Sequence, residues 1–150
     1  MHQLRQAKES DTRAIRALIR QVKINPMGLN WQRFTLAVDE QEQVIGCGQI
    51  KPHSDGTREL ASIAVVPERQ GKGIGMEIIT RLMENEPLPL YLTCRSVMGP
   101  YYQRFGFRQV GSEALPHYFR RIWRFARCLR HLYPKLGEMW VMVKEGNNFP

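Results

Sequence analysis

The sequence predicts a mixed α+β fold: a mostly antiparallel sheet of about six to seven strands, with a central parallel pair of strands and flanking helices. In the first half of the chain, short apolar runs separated by turn residues follow one another, which favours antiparallel strands. An amphipathic segment with helical spacing then lies between two apolar runs, which favours the parallel pair. The 150 residues suffice for one compact domain, which we expect to span residues 1–150.

The first half of the chain is predicted to form one helix and four strands. Ser10 precedes the helix and is expected to cap it, since a serine oxygen can accept from the first backbone N–H groups. Turn residues separate the last three strands, at Asp39–Glu42 and at His53–Thr57. The predicted segments are the strand Gln3–Gln6, the helix from Asp11 to about Val22, and the strands Phe34–Val38, Val44–Ile50 and Glu59–Val66.

The second half is predicted to form three helices and three strands. Isoleucine and leucine recur at helical spacing between Gly73 and Asn85, and Pro87 ends that helix. A strand on either side makes this segment a right-handed crossover, so Glu59–Val66 and Leu90–Cys94 are expected to be parallel. The predicted segments are the helices from Gly73 to about Asn85, Pro100–Phe105 and Tyr118–Tyr133, and the strands Leu90–Cys94, Phe107–Val110 and Trp140–Lys144.

Composition excludes several classes of protein. Hydrophobic residues make up 43% and charged residues 24%, as in ordinary globular proteins, and no run approaches the ~20 apolar residues of a membrane span. Residues 1–8 are polar, so we expect no signal peptide. Cys47, Cys94 and Cys128 are too scattered for a disulfide framework or a zinc site. They predict reduced, mostly buried thiols in a cytoplasmic protein, and no metal site is expected.

The net charge of +8 and the pI of about 9.8 predict a negatively charged ligand or partner. Phosphate, nucleic acid, anionic lipid and an acidic protein all satisfy that requirement, and charge does not choose among them. Nucleic acid is the least favoured, because no recognised nucleic-acid-binding motif accompanies the charge.

The segment Gln70–Gly75 predicts an anion-binding loop. Its three glycines stand at every second position where a strand turns into a helix, so backbone N–H groups are accessible to a ligand. The helix N-terminus and Lys72 add positive charge, which suits a diphosphate. A Walker A loop is excluded because Gly73 follows the lysine, and a dinucleotide fingerprint because Met76 stands where that motif requires glycine.

The same residues, read as Gln70-Gly71-Lys72-Gly73-Ile74-Gly75, match the pattern Gln/Arg-x-x-Gly-x-Gly and resemble the coenzyme A-binding motif of the GNAT acetyltransferases. A second segment, Tyr101-Tyr102-Gln103-Arg104-Phe105-Gly106-Phe107, is similar to the Phe-Tyr-x-x-x-Gly-Phe signature of that family. The order of predicted elements resembles the GNAT fold as well. The resemblance implies direct transfer of an acetyl group from acetyl-CoA to an amine, without a covalent acyl-enzyme.

The resemblance also implies roles for individual residues. Tyr102 would be the general acid that protonates the departing sulfur. Glu59 matches a glutamate that removes the amine proton through water in histone-acetylating members; a solvated carboxylate at the strand end is an equal alternative. His53 and Asp55, in the adjacent turn, are weaker candidates for the base. Coenzyme A would bind at the main chain of Ile63, Ala64 and Val65 and at the loop Gln70, Gly71, Lys72, Gly73, Ile74, Gly75 and Met76.

Two positions depart from the family. Leu90 stands where members that acetylate protein N-termini often carry glutamate, and Arg95 where many members carry a cofactor-contacting asparagine. A non-catalytic acyl-CoA-binding module that engages an acidic partner is therefore the alternative to an N-acetyltransferase acting on a primary amine of a small molecule, peptide or protein. By the same resemblance, a dimer is a common assembly.

The predicted helix Tyr118–Tyr133 is strongly basic. Residues 114–137 include five arginines, one lysine and two histidines, but no acidic residue. Such a face can bind nucleic acid, anionic lipid or an acidic partner, or it can simply be solvated. In the family this segment often borders the acceptor site, so the helix is expected to shape acceptor choice. Its predicted inner stripe is Ile122, Phe125, Ala126 and Leu129.

Overall fold

The structure, a computed structural model, describes residues 1–146 of the chain. It confirms the predicted mixed α+β class: seven strands form a sheet in the order β1-β2-β3-β4-β5-β7-β6, with β4 and β5 parallel. The strands are β1 His2–Gln6, β2 Phe34–Asp39, β3 Val44–Pro52, β4 Arg58–Val65, β5 Leu90–Arg95, β6 Arg108–Gln109 and β7 Met139–Lys144. The α-helices are α1 Thr12–Gln21, α2 Ile74–Met83, α3 Gly99–Gln103 and α4 His117–Leu132.

The chain divides into two compact units. The first contains residues 1–51 and 60–86, and the second contains residues 52–59 and 87–146 of the described part of the chain. Strand β4 contributes its first two residues to the second unit and the others to the first. None of the helices within residues 1–146 has the length and apolar character needed to cross a membrane.

The first unit packs helices α1 and α2 against antiparallel strands. Leu36 and Ala37 are neighbours in β2 but belong to different apolar clusters, because successive side chains of a strand point to opposite faces. Gly48 permits the close approach of α2: a Cβ at this position would lie 2.8 Å from Cγ2 of Ile78. One cluster contains Ala7, Ile15, Leu18, Ile19, Phe34, Leu36, Val38, Cys47 and Ala64. The other contains Ala37, Ile45, Ile74 and Ile78.

The start of α1 differs from the prediction. A short 3-10 helix, Glu9–Asp11, precedes it, and Ser10 lies within that turn instead of at the cap position. The carboxylate of Asp11 accepts from the Lys8 N–H at 2.7 Å and pairs with Arg5 at 2.8 Å. The predicted cap by Ser10 is wrong, because the ion pair fixes the preceding turn and shifts the first helical residue to Thr12.

The second unit places α4 against β7 through a small apolar cluster of Val110, Leu115, Phe119, Val141 and Val143. The predicted inner stripe of this helix is wrong at one position. The side chain of Phe125 is 66% exposed, whereas that of Phe119 is fully buried. Phe119 and Ala126 are seven residues apart and share a face, while Phe125 is turned about 100° from Ala126 around the helix axis.

The cysteines are less buried than predicted. Cys47 is buried in the first unit and Cys94 is half-buried on β5, but Cys128 is exposed on the outer face of α4. The three thiols are unpaired. Among the described residues, no group of three or more His, Cys, Asp or Glu side chains is arranged to hold a metal ion.

Candidate functional site

Strand β4 contains an irregular residue, Ser62, whose φ of 59° lies in the left-handed region. Such a conformation costs a non-glycine residue energy and needs support from its surroundings. Fully buried Gln49 supplies part of that support: its Nε2 donates to the Ser62 hydroxyl at 2.8 Å and to the Gly28 carbonyl at 3.2 Å. The Cys47 thiol donates to the Ser62 carbonyl at 3.5 Å. These contacts fix the main chain immediately before Ile63.

The three strand residues Ile63–Val65 lead directly into the predicted anion-binding loop. The Val66 N–H donates to the Ile45 carbonyl at 2.9 Å, which ends the sheet pairing. A 3-10 turn, Pro67–Arg69, follows. The side-chain Nε2 of Gln70 then donates back to the Val65 carbonyl at 3.0 Å. The structure therefore brings Ile63–Val65 and the start of the loop together, with the side chain of Gln70 as the link between them.

The glycines of the loop adopt conformations that other residues rarely take. The φ angles of Gly71 and Gly73 are 74° and 85°, and a Cβ built on either would meet no atom within 4 Å. The space in the direction of each Cβ is therefore open. Lys72, between them, is exposed.

Helix α2 begins directly after this loop, with Gly73 at its N-cap position. The Glu77 N–H donates to the Gly73 carbonyl at 3.1 Å, so the amides of Ile74 and Gly75 precede the first intrahelical hydrogen bond. Ile74 is buried in the core, whereas Met76 is 38% exposed. An open glycine loop at a helix N-terminus, with a lysine beside it, forms a cradle suited to a diphosphate.

In the second unit, Tyr102 lies on the short helix α3 and is half-buried. Burial raises the pKa of its phenol well above the usual value, and nearby Cys94 and Tyr101 raise it further. The phenol therefore stays protonated at neutral pH and can donate a proton. Helix α3 packs closely on β7: a Cβ on Gly99 would lie 2.6 Å from Cε3 of Trp140.

Glu59, the first-choice base candidate, is buried instead of solvated: only 7% of the residue is exposed. Its Oε2 lies 2.7 Å from Nε2 of His53, and its Oε1 accepts from the Thr93 hydroxyl at 3.3 Å. The alternative interpretation, a solvated carboxylate at the strand end, is thus wrong. Parallel pairing with β5, in register at Tyr91, carries Glu59 to within reach of Thr93.

The two weaker base candidates, His53 and Asp55, lie in the turn before β4 but contact different groups. His53 contacts Glu59 and stacks on the ring of Tyr118, with ring centroids 3.4 Å apart and planes at 15°. Asp55 instead accepts from the Tyr118 N–H at 2.8 Å, at the start of α4. No local motif indicated Tyr118 or Thr93 as site residues, and for Thr93 the one available signal was the predicted parallel pairing of β4 with β5.

The two proposed catalytic side chains lie on different elements of the second unit. Tyr102 is on α3 and Glu59 on β4, and no hydrogen bond joins them among the described residues. Leu90, at the position of the missing family glutamate, is fully buried, and Arg95 is exposed at the end of β5.

Comparison with known proteins gives a family match and several similar structures. The sequence profile of the acetyltransferase (GNAT) domain matches residues 30–109. No curated protein sequence matches the chain. Among solved structures, N-acetylglutamate synthase from Neisseria gonorrhoeae, complexed with coenzyme A and L-arginine, is 19% identical with a TM-score of 0.74. That alignment covers 98% of this chain but 34% of the synthase chain, so the present chain spans about a third of the synthase's length.

Two further structures match over almost their full lengths. Rv2747 from Mycobacterium tuberculosis, in a complex that contains coenzyme A, is 22% identical with a TM-score of 0.72, and the alignment covers 96% of this chain and 99% of that chain. A GNAT-family acetyltransferase from Staphylococcus aureus Mu50 is 15% identical with a TM-score of 0.64, at 97% and 99% coverage. At these identities, the structural matches establish similarity of fold.

Proposed function

This chain belongs to the acetyltransferase (GNAT) family, and we propose that it transfers the acetyl group of acetyl-CoA directly to a primary amine of a small molecule, peptide or protein. The observation that carries the proposal is the glycine loop, where Gly71 and Gly73 are left-handed and open at the N-terminus of α2. Coenzyme A bound in the Neisseria gonorrhoeae and Mycobacterium tuberculosis structures supports the same donor for this chain.

The donor would occupy two consecutive segments. The diphosphate would accept from the amides of Gln70–Met76, with Lys72 nearby, and the pantetheine arm would pair with the main chain of Ile63, Ala64 and Val65. The support for this assignment is the match to the family motif together with the irregular Ser62, which interrupts the regular strand just before these residues. A strand with an interrupted ladder can offer main-chain groups to an extended ligand.

The reaction requires two proton transfers. An amine with a pKa of about 10.4 is mostly protonated at pH 7, and its deprotonation costs about 4–5 kcal/mol there. Glu59 would take this proton through a water molecule as the amine nitrogen attacks the thioester carbon. The new C–N bond forms, the C–S bond breaks, and Tyr102 would give its phenolic proton to the departing sulfur. The raised pKa of Tyr102 means that its phenol is protonated at neutral pH and holds the proton that this step needs.

Substitution of Tyr102 tests the proposal. A panel of primary amines would be screened for release of the coenzyme A thiol, and acetyl-CoA affinity would be measured by calorimetry. Tyr102→Phe should lower kcat by about 10²–10⁴-fold, the usual contribution of general acid catalysis, while the dissociation constant for acetyl-CoA stays within a factor of two.

Tyr101→Phe is the matched control, since it removes a neighbouring phenol at the position where the family has phenylalanine. It should leave kcat nearly unchanged. Equal kcat for the wild type and Tyr102→Phe would remove Tyr102 from the acid role. Tight acetyl-CoA binding without turnover of any amine would instead support the non-catalytic acyl-CoA-binding module.

Acceptor choice and location belong to the same proposal. Helix α4 exposes arginines from residue 120 to residue 130, so it would disfavour strongly basic acceptors such as polyamines. The unpaired cysteines support a reducing compartment, the cytoplasm.

A further inference from the structure

The carboxylate of Glu59 has a hydrogen-bond partner at each of its oxygens. Oε2 lies 2.7 Å from Nε2 of His53, and Oε1 accepts from the Thr93 hydroxyl at 3.3 Å. The side chains of His53 and Glu59 are only 9% and 10% exposed. A buried carboxylate pays a desolvation penalty when ionised, and donors to both oxygens offset that penalty. Contacts at both oxygens therefore hold the Glu59 carboxylate in one orientation.

The imidazole of His53 is itself held from several sides. Tyr118 stacks on it at 3.4 Å, and the ring of Phe119 approaches edge-on at 5.7 Å. The main chain of His53 closes the turn: its N–H donates to the Thr57 carbonyl at 2.8 Å, and its carbonyl accepts from the Gly56 N–H at 3.0 Å. A ring fixed by stacking and by its own turn presents Nε2 to the carboxylate in one orientation.

We propose that His53 is the positioning residue of the base: its imidazole donates Nε2–H to Glu59, and the hydrogen-bonded pair presents the carboxylate that receives the proton of the acceptor amine. This inference rests on the proposed acetyltransferase function. The proton leaves the amine nitrogen as the C–N bond forms and reaches the pair through water. It is released to solvent after the acetylated product leaves, so the pair returns to its starting charge.

Three further titratable groups face the pair from the elements packed around it. Asp55 lies in the same turn as His53, Tyr118 comes from α4, and Tyr91 from β5 is in register with Glu59. The pKa values of both tyrosines lie above their usual range because the phenols are buried, so both are neutral at neutral pH. The pKa of Asp55 lies below its usual value, so it is already ionised there. At neutral pH the two tyrosines therefore add no charge to this cluster, and Asp55 adds one negative charge.

Two substitutions of His53 separate hydrogen bonding from packing. His53→Phe keeps an aromatic ring for Tyr118 but removes the donor, whereas His53→Gln keeps an N–H donor that does not titrate. We expect His53→Phe to lower kcat by about 10²-fold or more and to move the acidic limb of the kcat/KM pH profile upward by about one unit or more, because the buried carboxylate loses its donor. His53→Gln should recover most of kcat and keep the acidic limb within about half a unit of the wild type.

A purely structural role for His53 predicts a different result. Activity would then fall by the same factor at every pH, with the acidic limb unmoved, and His53→Gln would be as impaired as His53→Phe. Either finding overturns the inference. Affinity for acetyl-CoA, measured by calorimetry, should be the same in all three proteins.

A spectroscopic measurement separates this inference from the proposed function. In the ¹⁵N–¹H correlation spectrum of the imidazoles at neutral pH, His53 should be the Nε2–H tautomer, and Glu59→Gln should shift its nitrogen resonances. A neutral Nδ1–H tautomer overturns the inference even if the enzyme is active. An intact Nε2–H tautomer with no turnover of any amine overturns the proposed function, and the catalytic role of the pair with it.

Discussion

Asp55→Ala should lower the free energy of unfolding, because the Asp55 carboxylate caps the N-terminus of α4, a helix that is distant in the sequence. One oxygen accepts from the Tyr118 N–H at 2.8 Å, and the other accepts from the N–H and hydroxyl of Thr57 at 3.0 and 2.6 Å. Pro116, at the N-cap position of α4, has no side-chain acceptor of its own. Loss of a capping carboxylate costs about 1 kcal/mol, with a range of about 0.5–2. Because Asp55 is exposed, the turn bonds to Thr57 add little, and we expect a total of about 1–2 kcal/mol.

Urea denaturation followed by tryptophan fluorescence measures this change, since Trp123 lies on α4. The midpoint should fall while the m value stays constant, and the melting temperature should drop by about 2–8 °C. Asp55→Asn is the matched control, because it retains an oxygen acceptor and loses only the charge; it should cost less than half as much. Unchanged stability in Asp55→Ala, or equal losses in the two variants, would refute the capping argument.

The same carboxylate gives this prediction a pH dependence. Burial raises the pKa of Asp55, but hydrogen bonds from Thr57 and from the Tyr118 N–H outweigh burial, so the pKa lies below its usual value. A carboxyl group whose pKa is lower in the folded state stabilises the fold above its unfolded pKa of about 3.9. The stabilisation is lost as the pH falls through the folded value. The difference between the wild type and Asp55→Ala should therefore be constant from about pH 5 to 7 and shrink below about pH 4.

Two glycine substitutions provide further predictions. Gly99→Ala would place a Cβ 2.6 Å from Cε3 of Trp140 and should lower the free energy of unfolding, measured by urea denaturation, by about 1–3 kcal/mol. In a Trp140→Leu background the same substitution should destabilise the protein less, and an equal destabilisation in both backgrounds would contradict the contact between Gly99 and Trp140. Gly73→Ala should lose about 1–2 kcal/mol of stability at its φ of 85° and also weaken coenzyme A binding by calorimetry. Gly56→Ala, at a φ of 83° in a turn outside the loop, should lose similar stability with no change in affinity, and equal affinities in the two variants would argue against the cradle.

Features that depend on local sequence were predicted well. The fold class and the positions of the seven strands followed from apolar periodicity and turn residues, because burial of one face imposes a regular spacing on the chain. The glycines of the Gln70–Gly75 loop were also recognisable in the sequence, because few residues other than glycine adopt a left-handed backbone at a strand–helix junction. The open loop at the start of α2 was therefore predictable from the sequence.

Features that depend on distant contacts were missed. Ser10 was an acceptable cap by residue type, but the ion pair between Arg5 and Asp11 decided where α1 begins. Helix α4 has apolar residues on more than one side, so the sequence does not predict which side faces the core. The side that contains Phe125 is exposed in the structure. The contact of Asp55 with the Tyr118 N–H joins groups 63 residues apart, so no local pattern contains it.

The open start of α2 has a thermodynamic consequence. Gly73 has no side chain, so it cannot cap the helix, and a diphosphate bound there would act as the missing cap. Ligand binding and folding of this unit would then be linked by mass action: donor at 100 times its dissociation constant would add about 2.7 kcal/mol to the free energy of unfolding. The cellular supply of the donor would thus help to set how long the folded protein persists, apart from any effect on its turnover.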